Sequence, residues 1–354
     1  MIFHTFHWPL RIKKVVIIPA ILIICGLSIV LRNPREEDLF LNYEIVNENT
    51  VEKYPVITSP LFSKVGEFVF LPNTAGPCRS KSGKILVLVH SSPAHVAHRS
   101  AIRRTWGKSD FRLNTNLRTV FIVGQSGVPM IEKRIMQEAK THGDIVLIKL
   151  IDSYRNMTLK HLAGLKWAIK NCPDIQYVMK VDDDAFVDMK RVTDKLESSP
   201  PSKNSLMCQT IPDGSSPRRT GKWGVTADEY PRNSYPEYCS GLAYLTKSKT
   251  LSKLYDAAMF GRVPYLWIDD VFVTGLVAEF AQIRRVDMSV WFADNELQVV
   301  EWMKNGTGTC PWMIAEMSFR HWPADASRLW RKSKMAWIES TVAMGGKTWV
   351  YSPE

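Results

Sequence analysis

Six cysteines in 354 residues, none of them spaced as Cys-x-x-Cys, give little support to a zinc ribbon or a dithiol redox pair. Lys and Arg occur only in short clusters, although the net charge is +11. A nucleic-acid surface needs a basic stripe. The charge therefore points to an anionic small substrate or a membrane surface, and no nucleic-acid partner is expected. No internal repeat is visible. The composition, 45% hydrophobic and 23% charged, is that of a globular protein with a core of its own rather than a disordered chain.

Charge is also missing from the run Val15 to Leu31. At about 1.5 Å per residue a helix here covers roughly 26 Å, the short end of what spans a bilayer. Pro19 lies near the start, where a helix tolerates it. The end of the run, Gly26 to Pro34, has no small-residue cleavage pattern of the kind that closes a signal peptide. Arg11, Lys13 and Lys14 precede the run, and Arg32 and Arg35 follow it. The basic bias favours a cytoplasmic N-terminus. The expected organisation is a cytoplasmic tail at 1–14, a transmembrane signal anchor at 15–31, a Pro-rich luminal stem at 32–80 and a luminal body at 81–354. In an oxidising lumen, Cys78, Cys172, Cys208, Cys239 and Cys310 are expected to form disulfides, with at least one left over. The triplets at Asn156 and Asn305 are possible N-glycosylation sites.

The body reads as alternating strands and helices. Lys84–His90, Thr119–Gly124, Asp144–Leu150 and Ile175–Val181 are short apolar runs that suit strands buried on both faces. Between them, 95–106, 129–142 and 157–171 carry helical signals, with Pro129 opening the second and Pro173 closing the third. This alternation predicts an α/β fold with a mostly parallel sheet flanked by helices, whose ligands bind beyond the carboxyl ends of the strands.

Asp182, Asp183 and Asp184 fall at that place, after the fourth strand. Three adjacent carboxylates are tolerable when water solvates them or a divalent cation neutralises them, and oxygen donors suit magnesium or manganese. Asp269 and Asp270 open the helical segment 271–280 between Trp267 and Phe272. Carboxylates there either cap the helix or, held against aromatic rings, act as a general base of raised pKa.

Six segments in order, Arg99–Gly107, Phe121–Gly124, Asp152–Lys160, Lys180–Phe186, Tyr235–Tyr244 and Ile268–Val271, resemble glycosyltransferase family 31, the β-1,3-galactosyl- and β-1,3-N-acetylglucosaminyltransferases. The resemblance implies a GT-A-like, Rossmann-type domain and an inverting Golgi enzyme. Its substrates would be a UDP-sugar and a glycan acceptor on glycoprotein or glycolipid, and Mn2+ or Mg2+ its metal. It implies Asp184 and, with altered spacing, His321 as metal ligands, Asp182 at the ribose, and Asp270 as base with Asp269 in place of a common Glu. Arg99, Arg103, Asp152, Lys160 and Asp183 are placed around the nucleotide, Arg103 near its diphosphate. Tyr238, Ser240, Gly241 and Trp267 are expected to line the pocket between donor and acceptor, Tyr235–Tyr244 being also readable as a core β-turn. The stretch Lys222 to Pro236 is more similar to the galactosyl members. An N-acetylglucosaminyltransferase, an inactive carbohydrate-binding protein of the same fold, and a two-metal nuclease or polymerase are the alternatives.

Overall fold

The apolar runs fold as strands: β1 Ile85–His90, β2 Leu117–Gln125, β3 Ile145–Ile151 and β4 Tyr177–Asp182. They pair in parallel in the order β3-β2-β1-β4, with Ile85 in register with both Leu117 and Tyr177. The crossovers are α1 Val96–Arg104, α2 Pro129–His142 and α3 Met157–Asn171. Alternate residues of the strands enter two cores. Leu86, Leu88, Val120 and Ile122 pack with Leu162 and Leu165 of α3. Ile85, Val87, Val89, Phe121 and Val123 pack with Ile102 of α1 and Ile135 of α2. Pro129 starts α2, and Gly143, in the left-handed region at φ 63°, ends it.

The computed structural model describes residues 84–109, 115–293, 295–307 and 310–317, the helix 322–343 (side chains of 325–335), and 61, 65–72, 75, 76 and 78. All belong to one unit, 53–354. The expected tail, anchor and most of the stem lie outside the described residues, as does His321. Among the described residues no helix is long and apolar enough to cross a membrane.

The remaining elements are β5 Ala185–Val187, α4 Met189–Ser198, β6 Ser205–Ile211, β7 Tyr238–Lys247, α5 Ser248–Phe260, a π-helix Asp270–Val277 running into the single turn α6 Ala278–Phe280, β8 Arg284–Asp287, α7 Glu296–Asn305, β9 Ile314–Glu316 and α8 Trp322–Ala343. β7 inserts antiparallel between β4 and β6, and β8 joins β6 in parallel, giving seven strands in the order β3-β2-β1-β4-β7-β6-β8. The fold is therefore mixed α/β with a mostly parallel sheet. The Tyr235–Tyr244 segment is not a turn: from Tyr238 onward it is the strand next to β4, because antiparallel pairing on both sides satisfies its backbone. β5 and β9 pair separately.

Among the described residues two disulfides form, Cys78–Cys172 and Cys208–Cys239, and Cys310 is free and buried. The second ties β6 to β7 just before Ser240 and Gly241. Replacing Cys208 and Cys239 together by Ser should lower the unfolding free energy by about 2–4 kcal/mol, measured as an earlier midpoint in denaturant with the far-UV circular dichroism of the folded chain unchanged.

Candidate active site

β4 ends in Lys180, Val181 and Asp182, and the pleat puts Lys180 and Asp182 on one face. Lys180 is 2% exposed. Its Nζ donates to Asp182 Oδ1 at 2.6 Å and to the Gly241 carbonyl on β7, and lies 4.0 Å from Asp269 Oδ2. Burial works against the ammonium, but the charges of Asp182 and Asp269 prevail and raise its pKa.

The three adjacent aspartates occupy three different environments. Asp182 is pushed up to about 6, by desolvation first, with Lys180 pulling the other way and Asp269 adding to the rise. Asp183 is buried, its backbone N–H donating to the His90 carbonyl. Desolvation is overcome there by the hydrogen bond from His95 and by His98, 3.6 Å away, which hold the carboxyl well below the usual range. Asp184 is pushed up to about 8 by burial, by its two neighbours and by Glu316 of β9. Its buried Oδ1 accepts no hydrogen bond among the described residues.

Asp269 and Asp270 divide in the same way. Asp269 is 2% exposed, with Oδ2 at 2.9 Å from His161 Nδ1, whose Nε2 lies 2.8 Å from the Tyr244 hydroxyl. Burial raises the Asp269 pKa, but Lys180 and His161 bring it down to about 2. Burial lowers the pKa of His161, so near neutral pH its ring has one donor and one acceptor nitrogen. An ionised Asp269 only accepts, so Nδ1–H donates to it and Tyr244 O–H donates to Nε2. Asp270, next to this fixed negative charge, is pushed up to about 7, by desolvation first and Asp269 second. Two adjacent carboxylates whose pKa values are driven apart can serve as acid–base partners.

Asp270 opens the π-helix, a rare geometry concentrated at functional sites. Thr274 stitches this turn to β7: its hydroxyl donates to the Asp270 carbonyl at 2.5 Å and accepts from Cys239 N–H at 2.9 Å. Opposite lies Gly241, where a β-carbon would sit 3.4 Å from Asp270 Oδ2. Tyr238, half-buried on the same strand, has its pKa raised by burial and by the charge of Asp270. Ser240 lies between them on β7.

Asp152 and Lys160 form a 2.8 Å ion pair at the carboxyl ends of the parallel strands. Asp152 Oδ2 also accepts from Gly124 N–H, and Lys160 donates to the Ser91 carbonyl. Gly124 permits this approach: a β-carbon there would meet the Leu150 carbonyl at 2.7 Å.

Arg99 and Arg103, expected beside the nucleotide, are both engaged by protein groups. Arg99 is fully buried, its guanidinium bonded to both Glu138 oxygens, Ser91 Oγ and the Ser92 and Pro93 carbonyls. Arg103 is bonded to Glu138 and, through two nitrogens, to Asp144. Planar forks that suit a diphosphate suit protein carboxylates equally well, and α2 supplies Glu138 to them directly.

Trp267 is 5% exposed and stacks on Trp223 at 6.3 Å, with Arg155 over its face at 4.6 Å. Tyr154 meets Trp223 edge-on at 5.2 Å, and Lys222 lies 4.2 Å over Tyr154. The buried indole Nε1 of Trp267 has no partner among the described residues. An aromatic and cationic wall thus rises just before Asp269. Of the two sequons, Asn305 is exposed at the end of α7, whereas half-buried Asn156 donates its Nδ2 to the Ile151 carbonyl at 2.9 Å.

The family model described as Galactosyltransferase matches residues 97–289, more than half of the chain. The chain belongs to this family. It is 34% identical over 225 residues to Beta-1,3-galactosyltransferase 5 of Homo sapiens, covering 63% of this chain and 71% of that protein. It is 31% identical over 208 residues to Beta-1,3-galactosyltransferase 1 of Mus musculus, covering 58% and 63%. Among solved structures, the WbbM bifunctional glycosyltransferase overlaps with a TM-score of 0.39 at 11% identity, over 75% of this chain and 52% of that one. The galactosyltransferase LgtC overlaps with a TM-score of 0.36 at 12% identity, over 71% and 95%.

The galactosyltransferase match runs from α1 past the π-helix, so it includes the aspartates and Lys180. Lys180, His161 and Tyr244 escaped the reading of the sequence as site residues. The signal for Lys180 is a lone ammonium in an apolar strand, two residues before a carboxylate. For His161 it is an imidazole on the buried face of α3.

Glu138 is the buried counter-charge of Arg99. Glu138→Ala should destabilise the chain by about 3–5 kcal/mol, because the guanidinium is left uncompensated. The Glu138 pKa is lowered, burial being overcome by Arg99 and Arg103. Its contribution is therefore present above the unfolded carboxylate pKa and fades as pH falls through the folded one. Thermal unfolding of wild type and variant should converge in acid, and a constant gap at all pH values would contradict this account.

Proposed function

We propose that this galactosyltransferase-family chain moves galactose from a UDP-sugar to the 3-hydroxyl of an acceptor glycan. It does so with inversion, forming a β-1,3 linkage, as a type II Golgi membrane protein with its body in the lumen. The observation that carries the reading is Asp270: a half-buried carboxyl pushed up to about 7 beside an ionised partner, facing the β-carbon-free position 241. A general base works best with a pKa near the working pH. Relatives named as β-1,3-galactosyltransferases support galactose and the linkage. Two disulfides suit an oxidising lumen, and the uncharged run 15–31 suits an anchor.

Mn2+ or Mg2+ fits Asp184, whose buried, unbonded oxygen and raised pKa are those of a carboxylate lacking a counter-cation. His321 is the second expected ligand. When bound, the ion supplies Lewis-acid stabilisation of the diphosphate charge. The chain's own residues do the rest. Asp182 receives the ribose, while Asp152, steadied by Lys160, borders the nucleobase. Arg99 positions the loop after β1, and Arg103 holds Glu138 in place beside it. Exposed Tyr154 and half-buried Trp223, backed by Trp267, offer stacking faces to sugar rings. Asp270 accepts the proton of the attacking 3-hydroxyl on the face opposite the departing UDP, which turns an α-linked donor into a β-linked product. Lys180 and His161, the latter oriented by Tyr244, keep Asp269 ionised, so the proton goes to Asp270.

Asp270→Asn should reduce turnover by about 10²- to 10⁴-fold, measured as UDP release from UDP-galactose with a panel of acceptors, with donor affinity retained. Loss of donor affinity in step with turnover would assign Asp270 a structural role. UDP-N-acetylglucosamine as the preferred donor would favour the alternative transferase, and no release from any donor a carbohydrate-binding protein. The base must be ionised, so kcat/KM should rise with pH and level off above about 7. Manganese must displace the proton on Asp184, so its affinity should rise with pH through about 8; a pH-independent affinity would remove Asp184 from the metal site.

A further inference from the structure

The reaction proposed above leaves Asp183 without a task, yet two histidines converge on it. His95 Nδ1 lies 2.9 Å from Oδ2 and 3.2 Å from Oδ1, and His98 Nδ1 lies 3.6 Å from Oδ1. His95 precedes α1 and His98 lies in its first turn, three residues on, so both rings share one face. The rings stack at 4.6 Å with planes 27° apart. One ligand atom from each of the three residues lies within 4.8 Å of the others.

We propose that His95, His98 and Asp183 form a second divalent-cation site, of zinc type, distinct from the donor-site metal at Asp184. Zinc binds His and carboxylate ligands at about 2.0–2.1 Å in a tetrahedron, which sets neighbouring ligand atoms roughly 3.3 Å apart. The separations of 3.2 and 3.6 Å measured from Asp183 Oδ1 bracket that value. Two imidazoles and one carboxylate favour zinc over magnesium and manganese, which prefer oxygen. His98 and Asp183 are 9% and 7% exposed in their side chains, but His95 is 30% exposed, which gives the ion a way in from solvent. Among the described residues no fourth His, Cys, Asp or Glu joins the cluster, so water completes the shell.

The consequence is mechanical. An ion held here fastens α1 to the turn between β4 and β5, and that turn carries Asp182 and Asp184 on either side of Asp183. The site goes beyond the transferase reading and does not depend on it.

The test uses the full chain in detergent, stripped by chelator and free of UDP-sugar, with zinc and cobalt(II) as probes. The expected result is one zinc per chain and, with cobalt, the visible d–d absorption of a tetrahedral nitrogen/oxygen site. His95→Gln, at a partly exposed side chain, should weaken zinc at least about tenfold, with far-UV circular dichroism unchanged. His98→Gln should do the same. Asp184→Asn should keep the zinc and lose manganese, which separates failure of this site from failure of the donor-site reading. No zinc uptake by the wild type, equal uptake by the His95→Gln/His98→Gln double variant, zinc lost with Asp184→Asn, or a thiolate charge-transfer band placing cobalt on Cys310 would each overturn the proposal.

Discussion

Burying the Lys180 ammonium brings β4, β7 and the start of the π-helix to one point. A charge removed from water is costly unless it is paired and hydrogen-bonded. Lys180 meets that demand with Asp182 from its own strand, the Gly241 carbonyl from the next, and Asp269 from the far side. Each partner belongs to a different part of the site, so the cation cannot be satisfied unless all three parts are in place. Its field then orders the protons. It helps bring Asp269 down to about 2, and the fixed charge of Asp269 helps lift Asp270 to about 7.

The other side of the site is set by a second buried cation. Arg99 closes the loop after β1 against Glu138 of α2, and Lys160 reaches the same loop through the Ser91 carbonyl. The strand ends are therefore held from three helices before any ligand arrives. Preorganised polar groups of this kind need no reorganisation when charge develops. Thr274 and the Cys208–Cys239 bridge extend the same rigidity to β7 and the π-helix.

Four strands and three helices were legible because their apolar runs are continuous and their ends carry Pro, Gly or Asp. The observed ends lie within about two residues of the expected ones for β1 to β4. Tyr238–Tyr244 was less legible: Gly241 and the aromatics resemble turn chemistry, and only pairing with β4 and β6 makes them a strand. Nothing in a 3.6-residue periodicity distinguishes a π-helix from an α-helix at Asp270. The carboxylates were visible as residue types, but their inequality was not: Asp183 and Asp184 differ through His95 and Glu316, which are distant in sequence, and Asp182 through Lys180, whose burial only the fold reveals. Arg99 and Arg103 show the reverse limit: a motif identifies the helix but not the partner its guanidinium groups choose.

The amide of Asn156 is part of the same architecture. Its Nδ2 donates to the Ile151 carbonyl at the mouth of β3, and Thr158, the third residue of its sequon, is buried with its hydroxyl on the Leu266 carbonyl. A sugar-transferring machine needs that amide and that hydroxyl exposed on a pliable strand. In the finished protein both are spoken for; on the emerging chain neither is. Position 156 is therefore a clock: a glycan found there would record a chain modified before this corner closed, and a bare asparagine a chain that folded first.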